Sequence, residues 1–183
     1  RVQLLARLKA AESWQPMPAQ IPPLGEWSVW AMVGGRGAGK TRAGAEYLRG
    51  RCRHGGRHAI IAPTFADARD VCVEGESGLR TIARDEIAVW NRSMGELRFH
   101  SGAVVHLFSA DNPDRLRGPQ HDSIWADELA SWRYCQSAWD MAMMGLRLGK
   151  QPRAVITTTP RPIPTLRAIM ADPHTVLTRA TSY

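Results

Sequence analysis

Apolar and polar positions recur with two different periods along this 183-residue chain, and the switches between them outline its elements. Leu4, Leu5 and Leu8 stand at helical spacing within residues 2–13, which predicts a short amphipathic helix. Pro16, Pro18, Pro22 and Pro23 then keep residues 14–25 extended as a stiff connector. The mostly apolar run from Trp27 to Val33 reads as a buried strand and ends in the glycine-rich stretch from Gly34 to Gly39. Residues 40–53 have helical character, with Gly55 and Gly56 as the stop. Residues 58–62 read as a second strand closed by Pro63, and residues 66–84 as a helix interrupted near Gly75 and Gly78.

Beyond Glu86 the pattern turns β-rich. Residues 87–90, 96–100 and 104–108 are strand-like, and the last two flank a turn at Ser101 and Gly102, which predicts an antiparallel insertion. Residues 111–121 form a polar loop. A short strand at 123–126 runs into Asp127 and Glu128; residues 131–148 read as helix, 153–159 as strand and 164–170 as a last short helix. Alternating strands and helices with an inserted hairpin imply an α/β fold, its sheet mostly parallel with helices on both faces.

Composition narrows the class. At 44% hydrophobic and 22% charged residues, the chain is neither collagen-like, disordered nor a disulfide scaffold. No apolar run approaches the roughly 20 residues a bilayer crossing needs, so no membrane partner is expected. Cys52, Cys72 and Cys135 are widely spaced without a metal-ligand rhythm, as reduced, buried thiols would be. The net charge is +7, carried by 21 Arg and only three Lys. Arg36, Lys40, Arg42, Arg49, Arg51, Arg53 and Arg57 crowd one stretch against the single Glu46. Such a run attracts phosphate, on a nucleotide or a nucleic acid; a solvated helix face or a subunit contact would read the same.

The chemistry concentrates at three places. Gly34, Gly35, Arg36, Gly37, Ala38, Gly39, Lys40 and Thr41 match G-x-x-x-x-G-K-[ST] between a strand and a helix. Glycines let backbone N–H groups close around a phosphate, and the helix N-terminus adds its partial positive charge. Lys40 is then placed for the β- and γ-phosphates and the Thr41 hydroxyl for Mg²⁺. Arg36 inside the loop suits stabilisation of γ-phosphate charge, or pairing with a carboxylate to brace the loop. Next, Asp127 and Glu128 follow a short strand. This supplies one carboxylate for Mg²⁺ and one to activate water, although adjacent acids also serve as helix caps. Finally, Thr157, Thr158 and Thr159 end a β-branched strand before Pro160, where hydroxyls can sense a γ-phosphate. Arg117, in the loop before the acidic strand, suits a finger offered to a neighbouring subunit, or a plain surface or DNA contact.

Residues 30–46, 61–70, 125–130 and 157–162 together resemble the large terminase subunit of tailed bacteriophages, in order and over nearly the whole chain. They are most similar to the branch found in α-proteobacterial phages and gene transfer agents. The resemblance implies a P-loop NTPase fold of the additional-strand, catalytic-glutamate type. It implies an ATPase motor that pumps double-stranded DNA through a portal into an empty capsid, with ATP and Mg²⁺ as cofactors. Expected partners are DNA, the portal protein and the small terminase subunit, in a homo-oligomeric ring in the host cytoplasm. By position, Gly34–Thr41 become the Walker A loop, Asp127 the Walker B aspartate, Glu128 the catalytic glutamate and Thr157–Thr159 the coupling motif. Arg36 resembles a loop arginine acting in cis, and Arg117 a finger in trans. Gln20 resembles the adenine-reading glutamine, with Gln15 as the alternative. The division implied is residues 1–26 as N-terminal helix and adenine-side connector, and 27–183 as the ATPase domain. Family members also carry an RNase H-like nuclease with a carboxylate cluster; residues 159–183 hold one acid, Asp172, so no DNA cleavage is expected of this chain. A helicase-like or DNA-remodelling ATPase, and a scaffold that binds ATP without turnover, are the competing readings.

Overall fold

The computed structural model describes residues 14–180, and the amphipathic helix expected at residues 2–13 lies outside the described residues. Eight strands form one sheet: β1 (Val29–Gly34), β2 (Arg57–Ala62), β3 (Ile87–Asn91), β4 (Glu96–Phe99), β5 (Val104–Ser109), β6 (Ser123–Asp127), β7 (Arg153–Thr158) and β8 (Thr175–Ala180). Their order is β3-β4-β5-β2-β6-β7-β1-β8. From β5 to β8 every pairing is parallel, while β3 and β4 form an antiparallel hairpin that continues onto β5. The expected mostly parallel sheet with a β-hairpin insertion is what the chain adopts.

The central strands are apolar on both faces, as parallel strands under two helical layers must be. On one face Trp30, Met32, Ile60, Trp125 and Val155 pack against Ala43 and Leu48 of the helix Lys40–Cys52, here α1. On the other, Ala31, Ile61, Ile124, Ala126 and Ile156 meet Ala138, Trp139 and Ala142 of the helix Cys135–Gly145, and Leu166 and Ile169 of the helix Pro164–Ala171. Each large apolar side chain buried in these layers contributes about 1.5–3 kcal/mol.

Three details depart from the sequence pattern. The segment after Met170, where the pattern predicts no strand, forms β8 and pairs in parallel with the whole of β1. Its side chains are half-buried at a sheet edge, so its alternation is weak. The helix expected at 131–148 spans only Cys135–Gly145, preceded by a 3-10 turn at Leu129–Ser131. Trp132 turns its indole inward to the Asp127 carbonyl at 2.9 Å, which holds this stretch out of helical register. The helix expected at 66–84 is an α turn, Phe65–Asp67, running into a π-helical stretch, Ala68–Val73, and after a break the turn Leu79–Ile82.

In strand order, β7 lies between β1, which leads into the glycine-rich loop, and β6, which ends at Asp127. One strand interposed between the phosphate-loop strand and the acidic strand is the additional-strand arrangement of the P-loop NTPase fold. It brings the C-terminal ends of β1, β7 and β6 side by side, the place where open α/β sheets bind ligands.

Candidate functional site

The glycine-rich loop is shaped by its backbone. Gly37 and Gly39 have φ of 79° and 68°, left-handed values that residues with a side chain rarely adopt. Gly39 is constrained twice, because a Cβ there would stand 2.2 Å from Gln20 Nε2. Gly39 is also the N-cap of α1, and no side chain caps that end, so its first N–H groups remain available to an anion. Gly35, Arg36 and Gly37 are exposed, whereas Lys40 is buried to 7% exposure. Lys40 Nζ donates to the Gly35 carbonyl at 2.9 Å and lies 3.6 Å from Glu128 Oε1. Thr41, half-buried, follows on the first turn of α1.

Gln20 is buried against this loop. Its Nε2 donates to the Ala38 carbonyl at 3.1 Å, and its Oε1 accepts from Met17 N at 2.9 Å. Both ends of the amide are therefore engaged within the protein. Gln15 is exposed. The connector carrying Gln20 is anchored on the far edge strand, where Thr178 Oγ1 donates to the Ala19 carbonyl at 2.9 Å.

Asp127 and Thr157 are register partners on β6 and β7. Thr157 Oγ1 donates to Asp127 Oδ1 at 2.6 Å, and Cys72 Sγ stands 3.5 Å from Oδ2. Burial, reinforced by neighbouring Glu128, pushes the Asp127 carboxyl up to about 6, against the lowering effect of the Thr157 and Cys72 bonds. The other two threonines of the run hold the segment that follows. Thr158 Oγ1 accepts from Ala130 N at 3.0 Å. Thr159 donates to Glu128 Oε2 from its backbone at 3.4 Å and its hydroxyl at 3.3 Å. Glu128 itself adopts φ 47° and ψ 42°, and it is the one non-glycine residue with positive φ among the described residues. Such a conformation costs on the order of 1 kcal/mol and persists because the surroundings fix it. It turns the carboxylate toward Lys40 and Thr159 rather than into a helix cap.

The structure thus brings Lys40, Asp127, Glu128 and the three threonines together at one end of three adjacent strands. The arginines lie apart. Arg36 is exposed and has no ion-pair partner among the described residues, so the alternative of a carboxylate-braced loop finds no support. Arg117 is 72% exposed, 3.9 Å from an Asp114 that is itself 92% exposed. It follows β5, with β2, β6 and β7 between that strand and β1. Much of the dense basic run is tied down within the protein. Arg42 and Arg49 pair with Glu46, Arg49 and Arg53 with Glu86, and Arg51 donates to the carbonyls of Asp122 and Gln151. What the sequence separates by about 40 residues, the fold places against α1. Beside Gly34 and Gly35 opens a cleft of about 490 Å³ with an apolar floor and Arg161, Arg167 and Arg179 among its walls.

Two groups behind Asp127, Cys72 in direct contact and Trp125 through Thr157, lie beyond the reach of the sequence pattern or at its margin. Cys72 carries no signal, because its approach depends on the π-helical stretch. Trp125 does carry one, since its parity on β6 sets it on the same face as Asp127. All three cysteines are free thiols, Cys52 and Cys72 buried and Cys135 half-buried. No described helix is long and apolar enough to cross a membrane.

Comparison with known proteins adds to this geometry. Residues 31–182 match the family model described as terminase large subunit, T4likevirus-type, N-terminal. Among solved structures, the chain is similar to the large terminase ATPase domain of Thermus phage P74-26. That match has TM-score 0.69 at 17% identity, covering 94% of this chain and 84% of that one. It is also similar to the large terminase from a thermophilic bacteriophage in complex with ADP, with TM-score 0.64, 16% identity and 96% coverage of this chain. The same thermophilic phage protein in complex with ATP-γ-S gives TM-score 0.62 at 13% identity. The chain spans 44% of those two chains. At such identities the likeness carries the fold. No curated protein matches the chain.

Proposed function

The chain belongs to the large terminase subunit family by its match to that family's N-terminal domain, and from this premise we propose that it is an ATPase motor domain that hydrolyses ATP to drive double-stranded DNA into a procapsid. The observation that carries the reading is the junction of β1, β7 and β6. There Lys40, Glu128 and Thr159 form one contacting set around a buried Asp127.

In this reading the loop from Gly34 to Thr41 holds the phosphates through backbone N–H groups, and Lys40 neutralises β- and γ-phosphate charge. Thr41 and Asp127 hold Mg²⁺. The donor set fits, because Asp127 is buried and accepts only from neutral groups, which leaves its charge for a cation. Among the described residues no cluster of three or more His, Cys, Asp or Glu exists that would hold a metal alone. That suits Mg²⁺, which binds through one or two carboxylates and substrate phosphates. When bound, the ion offsets charge developing on the transferring phosphoryl group. Glu128, 3.6 Å from Lys40, orients a water and takes its proton. Thr158 and Thr159 report on Glu128 and the segment after it. Gln20 serves the adenine side of the site. Arg36 supplies charge stabilisation in cis and Arg117, exposed and away from its own loop, in trans.

The reading implies a homo-oligomeric ring, with double-stranded DNA, a portal protein and a small terminase subunit as partners, working in the host cytoplasm. The family match favours it over a helicase-like ATPase. Displacement of a DNA triplex strand by the chain, driven by Mg²⁺-ATP, tests translocation. Hydrolysis per subunit measured across a concentration series tests the trans arginine. Turnover that rises with concentration and falls in Arg117→Ala supports the ring. Turnover that is flat and falls only in Arg36→Ala assigns the finger to the loop, and binding without turnover supports a scaffold instead.

A further inference from the structure

Trp125 takes no part in the chemistry above, yet its fully buried indole reaches the group that holds the metal carboxylate. Indole Nε1 donates to Thr157 Oγ1 at 2.7 Å, and that hydroxyl donates onward to Asp127 Oδ1 at 2.6 Å. A threonine hydroxyl has one proton. Because the indole occupies it as an acceptor, the proton is directed to Asp127. The other carboxylate oxygen meets the Cys72 thiol, a weak donor, at 3.5 Å. Asp127 is thus oriented from both sides by neutral donors, which satisfy a buried carboxylate without cancelling the charge that a divalent cation needs. A guanidinium in place of either would have competed with the cation.

The indole is itself fixed by the phosphate-loop helix. A Cβ at Gly44 of α1 would lie 2.3 Å from Trp125 Cε2 and Nε1, so α1 packs directly on the ring. The helix that begins with Lys40 and Thr41 is therefore linked through Trp125 and Thr157 to Asp127, in a line of contacts crossing from β1's loop to β6.

Resting on the ATPase reading, we infer that Trp125 is a positioning residue: its indole N–H, through Thr157, sets the Asp127 carboxylate for the Mg²⁺-bound nucleotide. Thr157 stands one contact behind the metal carboxylate, where removing a group typically changes metal affinity or activity by about 10–100-fold, and Trp125 acts through it.

The test uses the full chain with ATP-γ-S as probe, titrated calorimetrically in EDTA and at a series of Mg²⁺ concentrations. In Trp125→Phe the Mg²⁺ midpoint for tight ATP-γ-S binding is expected to rise by about tenfold or more, with binding in EDTA unchanged. Replacement of Trp125 by benzothienylalanine, which keeps the ring shape and removes only the N–H, is expected to do the same even if Trp125→Phe fails to fold. A wild-type midpoint in the folded variants overturns the inference. So does an equal loss of binding with and without Mg²⁺, the mark of a packing role alone. Wild-type chain that binds no nucleotide under either condition overturns the ATPase reading itself, an outcome distinct from both.

Discussion

Substituting glycine by alanine inside a helix normally stabilises it, and α1 contains two glycines where the structure predicts opposite outcomes. Gly50 is exposed, and a Cβ there has nothing within 4 Å. Gly50→Ala therefore gains the propensity difference of about 1 kcal/mol. Gly44 has the same intrinsic preference, but its Cβ would stand 2.3 Å from the Trp125 ring. That ring is fully buried between α1 and the sheet and cannot swing away. Overpacking of this kind costs about 1–3 kcal/mol, here at the upper end because the contact is with a rigid ring. Displacing the indole also strains its bond to Thr157, worth about 1 kcal/mol. Set against the propensity gain, Gly44→Ala is destabilising by about 2–3 kcal/mol. For a domain of this size that is a melting temperature lower by about 4–12 °C, whereas Gly50→Ala raises it by about 2–4 °C. Thermal unfolding followed by circular dichroism measures both. A Gly44→Ala chain as stable as wild type would refute the packing of α1 on Trp125, and with it the link from that helix to Asp127.

Other expectations follow from the site. Glu128→Gln should lose about 10²–10⁴-fold in turnover while retaining ATP-γ-S binding, measured by phosphate release beside calorimetry. Asp127 binds its proton more tightly folded than unfolded, so its contribution to stability is greatest below the unfolded value near about 4 and is lost as pH rises through about 6. Asp127→Asn should accordingly raise the melting temperature at pH 7.5 without Mg²⁺, by up to about 3 kcal/mol of stability, and a lower melting temperature would contradict it. Mg²⁺-dependent ATP-γ-S binding should weaken below about pH 6, where the cation must displace that proton. Gln20→Ala removes the bond that braces the phosphate loop at Ala38 and the bond from Met17 N within the connector, at about 1–3 kcal/mol. If Gln20 also serves the adenine side, the variant should lose preference for ATP over GTP in competition binding as well as affinity.

Much of this was legible in the residues because the signals were local. A phosphate loop is written in contiguous glycines, and a strand ending in two acids is visible as Ala126 gives way to Asp127 and Glu128. The antiparallel pair β4 and β5 is legible through its strand-like runs and the turn at Ser101 and Gly102. What stayed hidden depends on distant partners. β8 is a half-buried edge strand, and only its pairing along β1 makes it regular. The sequence leaves the role of the basic run open because Glu86, which Arg49 and Arg53 share, lies more than 30 residues further on. Cys72 reaches Asp127 only because the helix before it is wound as a π-helical stretch. The positive φ of Glu128 likewise has no mark in the sequence.

The central claim is that this chain hydrolyses Mg²⁺-ATP with Glu128 as the group that activates water. Steady-state phosphate release at saturating ATP, compared between wild type and Glu128→Gln with and without Mg²⁺, tests it most directly. The account predicts turnover by wild type that requires Mg²⁺ and falls at least about 100-fold in the variant. Equal turnover by the two proteins, or turnover indifferent to Mg²⁺, would contradict it.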